Sequence, residues 1–290
     1  MNINIINGRE IAKEFLITLK CQAEELIAQG VIPKLTIILI GDNPASKLYV
    51  KNKQARAKDL GVVVEIEKFP NEASTQEVVA TIKKLNQDNS NHGIIVQLPI
   101  SQHMDRQTII EYIDPCKDVD GFNPFNIGRA CLHNEDAFIP CTPLGILHLI
   151  NNIPNTANQH VVIIGRSMIV GKPLANLLLN HDFTVTICHS KTKDLINITS
   201  KADIVITAVG IAKKFTEEYF SPGQLVIDVG INEVYSPNGL YSFVGDVDFD
   251  RVKNIVNYIS PVPGGVGPMT IAYLIYNTIK AARMTLLQNS

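Results

Sequence analysis

VVIIGRSMIVGKPLANLLL, residues 161–179, decides the fold. The apolar run Val161–Ile164 reads as a strand. Gly165 and Gly171 flank Arg166-Ser167 in the loop that follows, and Pro173 opens a helix. Glycine lets a backbone approach a pyrophosphate closely, and the helix N-terminus offers unpaired N–H groups and a favourable dipole. The stretch is therefore a phosphate-loop candidate. It departs from G-x-G-x-x-G, so the same residues also read as a plain strand-to-helix turn.

The segments on either side repeat the alternation. LTIILI (35–40), GIIVQL (93–98), HVVIIG (160–165), FTVTIC (183–188), ADIVITAVG (202–210) and QLVIDVG (224–230) read as strands buried on both faces. Stretches such as 10–29, with Ile11, Phe15 and Leu19 at helical spacing and Gly30 then Pro33 behind them, read as helices. Strand and helix in alternation predict an α/β fold of two blocks, divided by a loop-rich junction at 114–143. Ligands of open α/β sheets sit beyond the carboxyl ends of the strands, so a cleft between the blocks is the expected place for chemistry. From Pro268 the chain reads as one apolar helix that returns to the first block.

The chain has 290 residues, 46% of them hydrophobic and 19% charged, which excludes disorder as its main state. Its 26 Lys and Arg against 28 Asp and Glu give a net charge of −2, so no basic field is available for nucleic acid or an anionic membrane. The expected partner is small. Five cysteines without a C-x-x-C pair suit a reducing compartment, with neither a disulfide framework nor a metal site expected. MNINIINGREIAKEF lacks a basic stretch followed by an apolar core, and no segment approaches a membrane span, so a cytoplasmic location is expected.

Candidate site residues follow from position. The strand after the glycine loop ends in Cys188-His189-Ser190-Lys191-Thr192-Lys193, with Ser190 25 residues beyond Gly165 and no carboxylate before Asp194. In dinucleotide folds an acid here selects NAD, whereas hydroxyl and basic groups accept a 2′-phosphate, so with Arg166 the segment favours NADP. It also reads as a solvated turn. In GDNPASKLYVKNKQARAKDLGV a helix is expected from about Ser46. Tyr49 and Lys53 then share one face, although Lys47, Lys51 and Lys58 show how ordinary a solvated helical lysine is here. Gln97 stands at a strand end before Pro99, and Asp118 and Asp120 flank a turn in DVDGFNP, where either acid also suits a turn cap. PVPGGVGPMT (261–270) is stiff and poor in side chains, which suits close backbone approach to a ligand.

GDNPASKLYVKNK, VQLPI, KDVDGFNP, PCTPLGI, VIIGRSMIVGKP, CHSKT, ADIVITAVG, IDVGIN, GDVDF and PVPGGVGPMT occur in that order over nearly the whole chain. As a set they resemble the bifunctional methylenetetrahydrofolate dehydrogenase/methenyltetrahydrofolate cyclohydrolase family. The resemblance implies an α/β catalytic domain of residues 1–141 completed by the C-terminal helix at 269–290. It implies a Rossmann-type NADP-binding domain at 142–268, and assembly as a homodimer.

The activity it implies is oxidation of 5,10-methylenetetrahydrofolate with NADP, then hydrolysis of the methenyl cation to 10-formyltetrahydrofolate, within one-carbon metabolism. Lys53 matches the catalytic lysine, Gln97 its hydrogen-bonding partner, Tyr49 the aromatic that stacks on folate and Asp120 the carboxylate that holds the pterin. Gly165, Arg166, Ser167, Ser190 and Ile231 match cofactor positions, and Pro263 and Gly267 the loop bordering folate. The intact Tyr49, Lys53, Gln97 and Asp120 set argues against a dehydrogenase that has lost the hydrolytic step. Asn123, Met168 and Ala130 depart from the commoner His, Lys and Leu. Met168 removes one positive charge beside the phosphate loop.

Overall fold

In the computed structural model, residues 4–235 and 241–288 are described. Chain order runs β1 (Asn4–Ile5), α1 (Gly8–Ala28), β2 (Lys34–Ile40), α2 (Pro44–Asp59), β3 (Val63–Phe69), α3 (Thr75–Gln87) and β4 (Gly93–Val96). It continues with α4 (Arg106–Glu111), α5 (Pro124–Cys131), α6 (Cys141–Asn151), β5 (His160–Ile164), α7 (Gly171–Leu179), β6 (Thr184–Cys188), α8 (Leu195–Thr199) and β7 (Ile204–Thr207). Then come β8 (Leu225–Asp228), β9 (Asn232–Tyr235), β10 (Tyr241–Val244), α9 (Phe249–Val252), β11 (Tyr258–Ile259) and α10 (Val266–Gln288). Two compact units result, one of residues 1–13 and 142–270, the other of residues 14–141 and 271–290.

The second unit is built on a parallel sheet ordered β3-β2-β4. Strand residues alternate between faces. Ile38, Ile40, Ile94 and Val96 join Val78, Val79 and Ile82 of α3 and Ile109 of α4 in one core. Leu35, Ile37, Leu39 and Ile95 join Val50 of α2 and Leu274 and Ala281 of α10 in another. Ile271, Ile275, Ile279 and Ala282 of α10 also pack with Leu19, Ala23 and Leu26 of α1, so the C-terminal helix completes this core. β3 forms an edge, and its VVEIEKF sequence alternates half-buried with exposed residues.

The first unit holds a sheet ordered β1-β11-β8-β7-β5-β6, parallel throughout. The chain leaves β5 for β6 on one side and returns to β7 on the other, which makes the gap between β5 and β7 the switch point of a doubly wound sheet.

Four expectations need correction. Residues 1–13 belong with the six-stranded sheet and not with residues 14–141, because β1 pairs with β11 through Asn4–Tyr258 and Ile5–Ile259. The other boundary falls at Thr270/Ile271, inside α10. FTVTIC is not buried on both faces: β6 is the sheet edge, and Thr184 and Ile187 are exposed. The junction at 114–143 contains α5, which Asn123 starts by accepting the Phe125 N–H at 2.9 Å with Pro124 behind it.

Candidate active site

The second unit brings Lys53 and Gln97 together. α2 begins at Pro44, two residues before the expected start, because the Asn43 side chain accepts the Ser46 N–H at 3.0 Å. From that start Ser46, Val50, Ala57 and Leu60 are buried, and Lys53 falls on the same inward stripe. Tyr49 and Lys53 are therefore half-buried, whereas Lys47, Lys51 and Lys58 are exposed. Gln97 follows the last residue of β4, and its N–H donates to the Ile38 carbonyl at 2.9 Å, extending the ladder by one residue. Lys53 Nζ donates to Gln97 Oε1 at 3.0 Å, while Gln97 Nε2 donates to the Leu98 carbonyl at 2.9 Å. The amide is thus fixed at both ends and aims the lysine. Burial raises the Tyr49 hydroxyl above its ordinary value.

The two acids of DVDGF take different parts. Asp118 is 1% exposed and spans the turn, accepting the Phe122 N–H at 3.2 Å, the Asn123 N–H at 2.8 Å and Asn126 Nδ2 at 2.9 Å. Asp120 interacts with the Lys53 charge, and the neighbouring Cys141 thiol donates to the Val119 carbonyl at 3.4 Å. Burial lifts the Asp120 carboxyl above the ordinary value, with Lys53 and the thiol pulling the other way. Cys141 is pushed far up by burial and by the Asp120 charge, so it stays a thiol and a donor. Asn277 of α10 backs this corner, donating to the Val119 carbonyl at 2.8 Å, the Ile139 carbonyl at 3.1 Å and Cys141 Sγ at 3.7 Å. Sequence reading missed Cys141 and Asn277.

Burial raises the Asp118 carboxyl to about 7, against an ordinary 3.8. The folded chain therefore holds this proton more tightly than the unfolded one. That contribution to stability is present in acid and is lost as pH rises through the window from about 4 to about 7. Asp118→Asn removes the ionisation. Its amide oxygen keeps the Asn123 and Asn126 donors, and its nitrogen faces the weaker Phe122 contact. Urea denaturation of the pair at pH 5 and pH 8 should show wild type losing ground to the variant at pH 8. An unchanged difference would remove Asp118 from the account.

The first unit carries the other candidates. Gly165 has φ +137, and a Cβ there would run into the backbone of Ala208, whose carbonyl carbon would lie 3.0 Å away. A Cβ at Gly171 would overlap the Gly165 carbonyl. The loop is therefore folded tightly against the end of β7. Ser167 Oγ accepts the Val170 and Gly171 N–H groups at 3.1 and 3.4 Å, so its own hydrogen is left to donate outward. Arg166, Met168, Ser190, Lys191 and Lys193 are exposed, as are Ile231 and Pro263, and Gly267 is half-buried. A glycine-built loop at the switch point, an exposed arginine, and hydroxyl and basic groups at the β6 end fit a phosphorylated dinucleotide. Among the described residues no cluster of His, Cys, Asp and Glu could hold a metal ion, and no helix is long and apolar enough to cross a membrane.

One unit carries a doubly wound sheet with a phosphate-type loop and the other a half-buried Lys–Gln pair with a half-buried acid, the parts of a dinucleotide-dependent enzyme with a second polar site. Residues 6–120 match the family described as tetrahydrofolate dehydrogenase/cyclohydrolase, catalytic domain, and residues 140–286 its NAD(P)-binding domain. The chain belongs to the tetrahydrofolate dehydrogenase/cyclohydrolase family. It is 49% identical over 285 residues to the bifunctional protein FolD of Rickettsia massiliae (strain Mtu5), covering 98% of each.

Among solved structures it is similar to the bifunctional enzyme FolD, methylenetetrahydrofolate dehydrogenase/cyclohydrolase, from Campylobacter jejuni. The identity is 42%, the TM-score 0.92 and the coverage 97% of this chain and 99% of that one. It is also similar to the Trypanosoma brucei methylenetetrahydrofolate dehydrogenase-cyclohydrolase complexed with NADP cofactor and inhibitor. Here the identity is 33%, the TM-score 0.92 and the coverage 97% and 98%.

Proposed function

We infer that this protein oxidises 5,10-methylenetetrahydrofolate to the methenyl form with NADP and hydrolyses that product to 10-formyltetrahydrofolate. The observation that carries the reading is the 3.0 Å Lys53–Gln97 hydrogen bond beside Asp120, in a chain that belongs to this family over nearly its whole length. NADP supplies the hydride acceptor. Gly165, Arg166, Ser167, Ser190 and Ile231 hold it, the exposed arginine and serine hydroxyls serving its phosphates. Tyr49 stacks on the folate, Asp120 accepts hydrogen bonds from the pterin N–H groups, and Pro263 and Gly267 border it.

Hydride transfer needs no acid from the protein, because the substrate nitrogens stabilise the developing cation, so the chain mainly positions the reactants. Hydrolysis does need proton transfer. Water adds to the methenyl carbon and gives up a proton to Lys53 Nζ. The ring carbon–nitrogen bond then breaks as its nitrogen takes a proton, and one proton is released overall. Gln97, its own amide held by the Leu98 carbonyl, aims Lys53 Nζ without adding charge.

Methenyltetrahydrofolate supplied alone tests the hydrolytic half: its absorbance should decay faster with enzyme and without any dinucleotide. A decay rate equal to buffer would contradict the reading. We place the enzyme in the cytoplasm as a homodimer, in keeping with the family; light scattering on the eluted protein should return twice the chain mass.

A further inference from the structure

Two buried acids in the first unit take no part in the scheme above. Asp228, the last residue of β8, is 3% exposed, and Asp246, just beyond β10, is 0% exposed. Asp246 Oδ2 accepts the N–H groups of Val209 at 2.6 Å and Gly210 at 3.1 Å. Its Oδ1 accepts the Ile211 N–H at 2.9 Å and Asn232 Nδ2 at 3.0 Å. Three consecutive amides on one carboxylate form a closed anion nest, here filled by the protein itself. Asp228 holds the nest in place: its Oδ1 accepts the Gly230 and Asp246 N–H groups at 3.0 Å and its Oδ2 the Val247 N–H at 2.9 Å. Gly230 packs against the Asp246 carboxyl and Gly245 against that of Asp228, so closely that a Cβ at either would overlap an oxygen.

The loops tied this way are those that leave the carboxyl ends of β7 and β8, where ligands of doubly wound sheets sit. Ala208, which opens the first of them, is the residue Gly165 packs against. Their outward surface is apolar: Ile211 is 48% exposed and Ile231, which precedes Asn232, is 46% exposed. A flat ring could lie on such a surface. A soluble protein gains little by pinning two exposed isoleucines with a buried carboxylate unless something binds there.

We propose that Asp246 is a positioning residue for the dinucleotide, holding the loops 208–211 and 229–232 as one preformed rim of the crevice opposite the glycine loop. The inference rests on the reading of this unit as NADP-binding. In Asp246→Asn the amide nitrogen replaces one oxygen and faces N–H groups, leaving rim amides unpaired and the competent rim only a minor population.

Titration calorimetry of NADP with the full-length Asp246→Asn protein should give a Kd raised about 10- to 30-fold, the tax on a rim populated to that fraction. KM for NADP should rise with it while kcat stays near wild type, since the bound rim is the same. Hydrolysis of methenyltetrahydrofolate without dinucleotide should be unchanged. An unaltered Kd overturns the proposal, and so does a joint loss of NADP affinity, hydrolysis and melting temperature, which marks a structural role only. Should Asp246→Asn fail to fold, Asn232→Ala, which removes one of the four donors, decides: a Kd equal to wild type overturns the proposal and a weakened one supports it. A wild-type protein that binds no NADP would overturn the functional reading itself, and the inference with it.

Discussion

Lys53→Met should abolish the hydrolytic step while leaving oxidation, so that methenyltetrahydrofolate accumulates beside reduced cofactor. The size follows from what is removed. A positioned acid–base group contributes about a hundred- to ten-thousand-fold, and Lys53 is the amine that Gln97 Oε1 fixes at 3.0 Å. Methionine keeps the length and the packing of the half-buried stem, so α2 has no reason to shift. A second effect accompanies the first. The Lys53 charge is one of the influences that hold the Asp120 carboxyl down against burial, so its loss lets Asp120 protonate more readily. KM for folate should therefore rise toward acid pH more steeply in the variant. Stopped-flow absorbance on single turnovers separates the steps, and formyl product at the wild-type rate would remove Lys53 from the mechanism.

Gly171→Ala should have the reverse profile. Its Cβ would overlap the Gly165 carbonyl and come within 2.7 Å of that carbonyl carbon and 3.0 Å of Arg166 Cα, and every one of these neighbours is backbone. No side chain can swing away, so the loop 165–171 must open, moving Arg166 and unseating the Ser167 hydroxyl from the Val170 and Gly171 N–H groups. Dinucleotide affinity should fall at least about a hundredfold, the equivalent of losing two charge-assisted hydrogen bonds. Hydrolysis of supplied methenyl compound, which uses residues of the other unit, should persist. Gly223→Ala is the control. Unlike Gly171 it has a positive φ, +94, but a Cβ there meets nothing within 4 Å. It should cost about 1 kcal/mol of stability and no affinity. An unchanged NADP affinity in Gly171→Ala would show that this loop does not hold the dinucleotide.

The contrast between Lys53 and the acids shows what the sequence reveals. β5, β7 and β8 were legible because central parallel strands are continuous apolar runs. β1 and β11 were not, since Asn4–Ile5 and Tyr258–Ile259 are two residues each, and β1 exists through a partner some 250 positions away. β6 misled because an edge strand can carry the same apolar composition as a central one. Lys53 was marked in the sequence only by its pairing with Tyr49; the buried stripe of Ser46, Val50 and Ala57 that separates it from its neighbouring lysines emerged with the structure. Asp118 and Asp120, two residues apart in one turn, could not be separated without the Phe122, Asn123 and Asn126 donors that claim the first. Cys141, Asn277, Asp228 and Asp246 act through contacts between separate segments, as with Cys141 and Asn277, which are 136 positions apart, and such contacts have no periodicity to read.

The most direct measurement follows near-UV absorbance during turnover of methylenetetrahydrofolate with NADP, and with NAD in parallel, before and after acid conversion of the formyl product to the methenyl form. Reduced cofactor should form, faster with NADP, without accumulating methenyl compound, and a methenyl signal should appear on acidification. Methenyl compound accumulating in step with reduced cofactor would contradict the proposed hydrolysis, leaving a dehydrogenase alone, and an absence of cofactor reduction would contradict both activities.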